Sequence, residues 1–98
     1  MNLALKQSDH ATVLEILRHR IPDRTVWAFG SRTTGKAWKF SDLDLVVIGS
    51  EPIPNEIYDQ LVEDFDESDL PIRVDLLDWN RIGDELKPSI LEQHVVLI

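Results

Sequence analysis

The sequence predicts an α/β fold, in the α+β sense, with helices packed on one small mixed β-sheet. Two observations predict it. Segments with helical spacing alternate with short runs of strand formers, in the order α, β, short α, β, α, β, α, β. The length, 98 residues with 43% hydrophobic, suffices for one core, so a single domain over 1–98 is expected.

The first helix is expected from Ser8 to Arg20, where Val13, Ile16, Leu17 and then Ile21 recur at three- and four-residue intervals. Ser8 is expected to cap it and Pro22 to end it. Thr25 to Phe29 is a run of strand formers stopped by Gly30-Ser31. The polar and mixed residues from Arg32 to Phe40 allow a helical turn or two. Leu43 to Ile48 reads as a buried strand ended by Gly49-Ser50. Ile57, Leu61, Val62 and Phe65 mark a helix from Pro54 to about Ser68. Ile72 to Leu77 is expected as a third strand. Asn80 is expected to cap a further helix that Pro88 interrupts or restarts, and His94 to Ile98 to close the sheet as a short edge strand.

Eighteen acidic residues against ten basic ones give a net charge of −8, a field that repels phosphate backbones and anionic membranes. Template-free extension of nucleic acid ends is disfavoured on that ground. A carboxylate-rich cation site, or an acidic face for a basic partner, suits the balance better. The absence of cysteine removes disulfides, thiolate catalysis and Cys-type zinc sites. The opening MNLALKQSDH has Lys6 and Gln7 where a signal peptide needs its apolar run, and no later stretch reaches the length of a membrane span. A cytoplasmic protein is expected.

The chemistry concentrates between Gly30 and Asp44. Alternation along a strand puts Asp42 and Asp44 on one face and Leu43, Leu45 and Val47 on the other. Two carboxylates that close need compensation, and a divalent cation supplies it. In Arg73-Val74-Asp75-Leu76-Leu77, Asp75 alternates away from its apolar neighbours and offers a third carboxylate. Three carboxylates on two adjacent strands can hold two magnesium ions. Asp78 is the rival third ligand, set aside because its position at the strand's end suits a turn or cap. Gly30 lets backbone approach an anion, Ser31 can cap the following turn while offering its hydroxyl and amides to phosphate, and Arg32 can add a charge-assisted contact. Arg73, on the face of Asp75, suits either a phosphate contact or a salt bridge to Asp42 or Asp75.

The run Gly30-Ser31-Arg32-Thr33-Thr34-Gly35-Lys36-Ala37-Trp38-Lys39-Phe40-Ser41-Asp42-Leu43-Asp44-Leu45 resembles the signature of the DNA polymerase β type nucleotidyltransferases, in their minimal branch. The Gly-Ser pair, Gly35 and Ser41-Asp42-x-Asp44 stand at that family's spacing, and Asp75 stands where its third carboxylate is expected. The resemblance implies a polymerase β-like core and transfer of AMP from ATP. The acceptor it implies is a tyrosine of a small helical HEPN protein, an RNase-type toxin for which minimal members act as antitoxin. On that analogy Asp42 and Asp44 bind both Mg2+ ions, Asp75 completes the site and helps deprotonate the acceptor hydroxyl, and Gly30 with Ser31 holds the triphosphate. Larger relatives carry an added helical domain for the acceptor. This chain is expected to lack one, so a partner or another subunit must supply that surface.

The alternative is an antitoxin that neutralises a basic partner by binding alone, with a vestigial metal site. The acidic residues Glu63, Asp64, Asp66, Glu67 and Asp69 are expected to be the solvated face of a helix, or else the docking face of that reading. His10, His19 and His94 have no ligand spacing. Trp27 is expected in the core. Trp38 and Trp79 are expected to pack, with a nucleobase or a partner as their alternatives.

Overall fold

The computed structural model describes residues 3–98. The chain starts with helix α1 (Gln7–Arg20) and strand β1 (Thr25–Phe29), then a single helical turn, α2 (Ser31–Thr34). Strand β2 (Leu43–Ile48), helix α3 (Asn55–Asp66), strand β3 (Val74–Asp78), helix α4 (Lys87–Glu92) and strand β4 (Val95–Val96) follow. The sheet order is β3-β2-β1-β4. β1 runs antiparallel to β2 and β4, while β2 and β3 are parallel. A parallel pair needs a crossover, and α3 provides it between β2 and β3. The predicted small mixed sheet is what forms, with β4 at an edge.

Alternation divides the sheet into two faces. On one face, Val26, Ala28, Leu43, Leu45, Val47 and Leu76 pack against Val13 and Leu17 of α1, Ile21 just after it, and Leu61 and Phe65 of α3. Full burial of each such leucine contributes about 1.5–3 kcal/mol. Two polar ties lock the helices on that layer. Arg20 binds Asp64 at 2.7 Å between α1 and α3, and its hydrogen bond and charge hold the Asp64 carboxyl below the usual carboxylate range. The Tyr58 hydroxyl donates to the Leu76 carbonyl at 2.7 Å, tying α3 to β3.

The other face carries Phe29, Asp44 and Asp75, and there Trp27 departs from expectation. It stands opposite the core face of Val26 and Ala28, stacks on the His94 ring at 4.0 Å and meets Trp79 edge-on at 5.8 Å. It thus covers the open face of the sheet instead of filling the main core. Trp79 packs as expected, with the Lys87 ammonium 5.2 Å from its ring centre. His94 donates from Nδ1 to the Ile90 carbonyl.

Several boundaries move. Lys6 takes the N-cap position of α1 without a side-chain bond, so Ser8 lies inside the first turn, where its carbonyl accepts from the Thr12 hydroxyl. α3 is trimmed at both ends, with Pro54 just outside it. β3 begins at Val74, not Ile72, and β4 shrinks to two residues. Asn80 caps no helix. Its amide N–H donates to Asp78 and its side chain to the Gly49 carbonyl, while α4 starts later with Pro88 in its first turn. Among the described residues no helix is long and apolar enough to cross a membrane.

Candidate active site

The segment joining β1 to β2 leaves the sheet where Phe29 pairs with Asp44. Gly30 and Ser31 are therefore delivered directly beside that aspartate. Gly30 has φ 80 and ψ −158, in the half of backbone space that favours glycine. A Cβ there would collide with the Asp44 carboxylate, so the close approach of this turn to Asp44 requires glycine. Gly30 is the N-cap residue of α2 and its carbonyl accepts from both the backbone and hydroxyl of Thr33. Ser31 is consequently the first helical residue and not the cap, which leaves its hydroxyl and amide at the head of the turn. Gly35, at φ 79, closes the turn in the left-handed conformation. Gly30→Ala is expected to lower stability by about 1–2 kcal/mol and activity by about a hundredfold or more through displaced reacting groups. Melting curves and steady-state rates read both, and a variant with wild-type values would remove glycine's role.

Asp42 precedes β2, Asp44 lies within it, and Asp44 is the register partner of Asp75 on β3. Asp44 and Asp75 sit on the open face, with Asp42 near enough for its charge to act on Asp44. Burial, then Asp75, then Asp42 push the Asp44 carboxyl above its ordinary pKa. Among the described residues neither Asp42 nor Asp44 has an ion pair, while Asp75 meets the Arg73 guanidinium at 3.0 Å. The salt-bridge reading of Arg73 is the geometry present. Among the described residues no three acidic or imidazole side chains form a ready-made metal cluster. What fits a cation is the donor chemistry, hard carboxylate oxygens with uncompensated charge at Asp44. A groove of about 620 Å³, with Phe29, Asp44, Arg73 and Asp75 in its lining, opens beside them.

Arg32 takes a different place from the one expected. Its side chain is buried, and its guanidinium donates to the carbonyls of Ser41 (twice, 2.8 and 3.0 Å), Ala4 (2.6 Å), Lys39 (3.4 Å) and Trp38 (3.5 Å). Those bonds turn it from the expected phosphate contact toward the loop that leads into Asp42. Asp78 is 3% exposed and accepts from the Ile53 and Asn80 amides, with Arg81 at 3.4 Å. It stands at the far end of β3, paired with Val47, away from Asp44.

The family model described as "Nucleotidyltransferase domain" matches residues 10–97. The chain belongs to that family. It is 50% identical over 95 residues to the "Probable protein adenylyltransferase MntA" of Haemophilus influenzae, covering 97% of this chain and 83% of that one. Among solved structures it is similar to a toxin-antitoxin crystallised with AMP-PNP, with a TM-score of 0.75 and 26% identity over 91% of this chain and 72% of that one. A tri-AMPylated Shewanella oneidensis HEPN toxin in complex with MNT antitoxin matches with a TM-score of 0.65 over 96% and 72% of the two chains. At 22% identity that last likeness is one of fold. The mixed α/β fold expected from the order of elements and the nucleotidyltransferase family that the run from Gly30 to Leu45 resembles are both found.

Proposed function

We propose that this nucleotidyltransferase is a magnesium-dependent protein adenylyltransferase antitoxin, moving AMP from ATP to a tyrosine hydroxyl of a HEPN-type toxin in the cytoplasm. The observation that carries the reading is the crowding at Asp44, flanked by Asp42 and Asp75 and directly abutted by Gly30-Ser31. Half-identity to a probable protein adenylyltransferase supports the choice of acceptor class.

In this reading the amide and hydroxyl of Ser31, freed of a capping duty, hold the triphosphate at the head of α2. Asp42, Asp44 and Asp75 would hold two Mg2+ ions, which when bound neutralise the triphosphate and the leaving pyrophosphate. Asp75 takes the proton of the acceptor hydroxyl as its oxygen forms a bond to the α-phosphorus. The bond from that phosphorus to the bridging oxygen breaks, and pyrophosphate leaves with the electron pair. Arg73, 74% exposed, is free to turn from Asp75 toward phosphate as this proceeds.

The exposed acids Glu63, Asp66, Glu67 and Asp69 beside the Arg20-bound Asp64 support the competing reading of inhibition by occlusion. Co-expression with the toxin separates the two. Wild type is expected to restore growth, and Asp42→Asn or Asp44→Asn variants that still bind the toxin are expected not to. Restored growth with both variants, lost on charge reversal along Glu63 to Asp69, would give the function to binding alone.

A further inference from the structure

An acidic chain with a well-filled core nonetheless presents two large aromatic rings to solvent next to its candidate site. Trp38 is 64% exposed and Phe40 61%, and the rings meet edge-on at 5.2 Å and 86°. They do not hang from a loose segment. Arg32 holds the carbonyls of Trp38, Lys39 and Ser41 from below. The Trp38 amide donates to the Ser41 hydroxyl, and the Ser41 amide returns a bond to the Trp38 carbonyl. Aromatic rings exposed on a backbone held this firmly are preorganised for contact, since little freedom remains to be lost on binding.

Behind the pair lies a groove of about 470 Å³ whose lining includes Leu5, Lys6, Asp9, Lys39, Phe40 and Ile72. Basic side chains gather around it. The chain has four lysines and a net charge of −8. Three of the four, Lys6, Lys36 and Lys39, lie on this loop or the groove, with the Lys39 ammonium 4.9 Å from the Phe40 ring centre. Asp9 is the acidic exception. These ammonium groups suit a segment that carries carboxylates.

We propose that the Trp38-Phe40 pair and the groove behind it dock the acceptor protein, seating an apolar side chain of that protein flanked by carboxylates. The surface is continuous with the site, because Ser41, the anchor of the loop, is followed directly by Asp42. A segment seated there is held within one loop's length of the carboxylates. The proposal rests on the adenylyltransferase reading for the identity of the partner.

The test is calorimetric titration of the HEPN-type toxin into the Trp38→Ala/Phe40→Ala variant, with steady-state transfer measured in parallel. The Kd and the KM for the toxin are expected to rise about tenfold or more, with kcat and the KM for ATP unchanged. Both rings are exposed, so the melting temperature is expected to hold. The Lys6→Glu/Lys39→Glu variant reads the same surface without removing a ring, and is expected to weaken the complex and flatten its salt dependence. Unchanged Kd and toxin KM in both variants would overturn the proposal. So would a raised KM for ATP alone, which assigns the rings to the nucleobase, or lost binding of a single-stranded RNA probe with the toxin complex unaffected. Failure of the catalytic reading looks different: wild type transfers nothing, while the variants still weaken the complex.

Discussion

Asp44→Asn is expected to lower AMP transfer by about a thousandfold or more while raising the melting temperature of the cation-free protein at neutral pH. The two effects have one cause. The Asp44 carboxyl is half-buried beside Asp75 and Asp42, and its pKa is raised in the folded state. Such a group contributes stability while protonated, and that contribution is lost as pH climbs from the ordinary value of 3.8 through the raised one. At neutral pH the wild type therefore carries a charge that folding disfavours. Asn keeps the shape without the charge. The melting-temperature gap between variant and wild type is expected to widen over that window, and magnesium is expected to close it by stabilising only the wild type. A variant less stable than wild type at neutral pH without magnesium would contradict this account of the site.

Arg32→Met is expected to give the largest loss of stability, about 2–4 kcal/mol. For a domain near 100 residues that is a fall in melting temperature of roughly 10 °C or more. The buried guanidinium makes five bonds to four carbonyls, joining the segment at Ala4 and the loop before Asp42 to α2. Methionine fills the volume and satisfies none of them. Arg32→Lys is expected to recover only part of the loss, because an ammonium cannot reproduce the planar fork. Thermal melts of both variants check this, and an unchanged melting temperature for Arg32→Met would mean that the carbonyls are satisfied without the arginine.

Arg32 also marks where the sequence stops being legible. Its charge and its place after Gly30-Ser31 pointed to phosphate, since nothing in a linear motif says which carbonyls will surround a side chain. β1 and β2 were readable to the residue because Gly30-Ser31 and Gly49-Ser50 punctuate them. Ile72 is apolar and suits a strand, yet pairing with β2 starts only at Val74 and runs to Asp78. Ser8 and Ser31 carry the chemistry of helix caps, but Lys6 and Gly30 hold those positions. Trp27, expected in the core, lies on the other face. Strand alternation already set it opposite Val26 and Ala28, and the cover over that second face, His94 and Trp79, comes from distant parts of the chain.

For the site, alternation alone points Asp42 and Asp44 to one face, and the Asp42 charge does act on Asp44. That Asp75 is the register partner of Asp44 depends on strand pairing, which spacing does not encode. In the sequence Gly30 suits close approach to an anion. The structure adds that the nearest obstacle to a side chain there is the Asp44 carboxylate itself.

The most direct measurement is the intact mass of the HEPN-type toxin after incubation with this protein, ATP and magnesium. One or more added AMP units, located on tyrosine and lost with Asp42→Asn and with Asp44→Asn, is the predicted result. An unmodified toxin held in a tight complex would contradict the catalytic account and leave inhibition by binding alone.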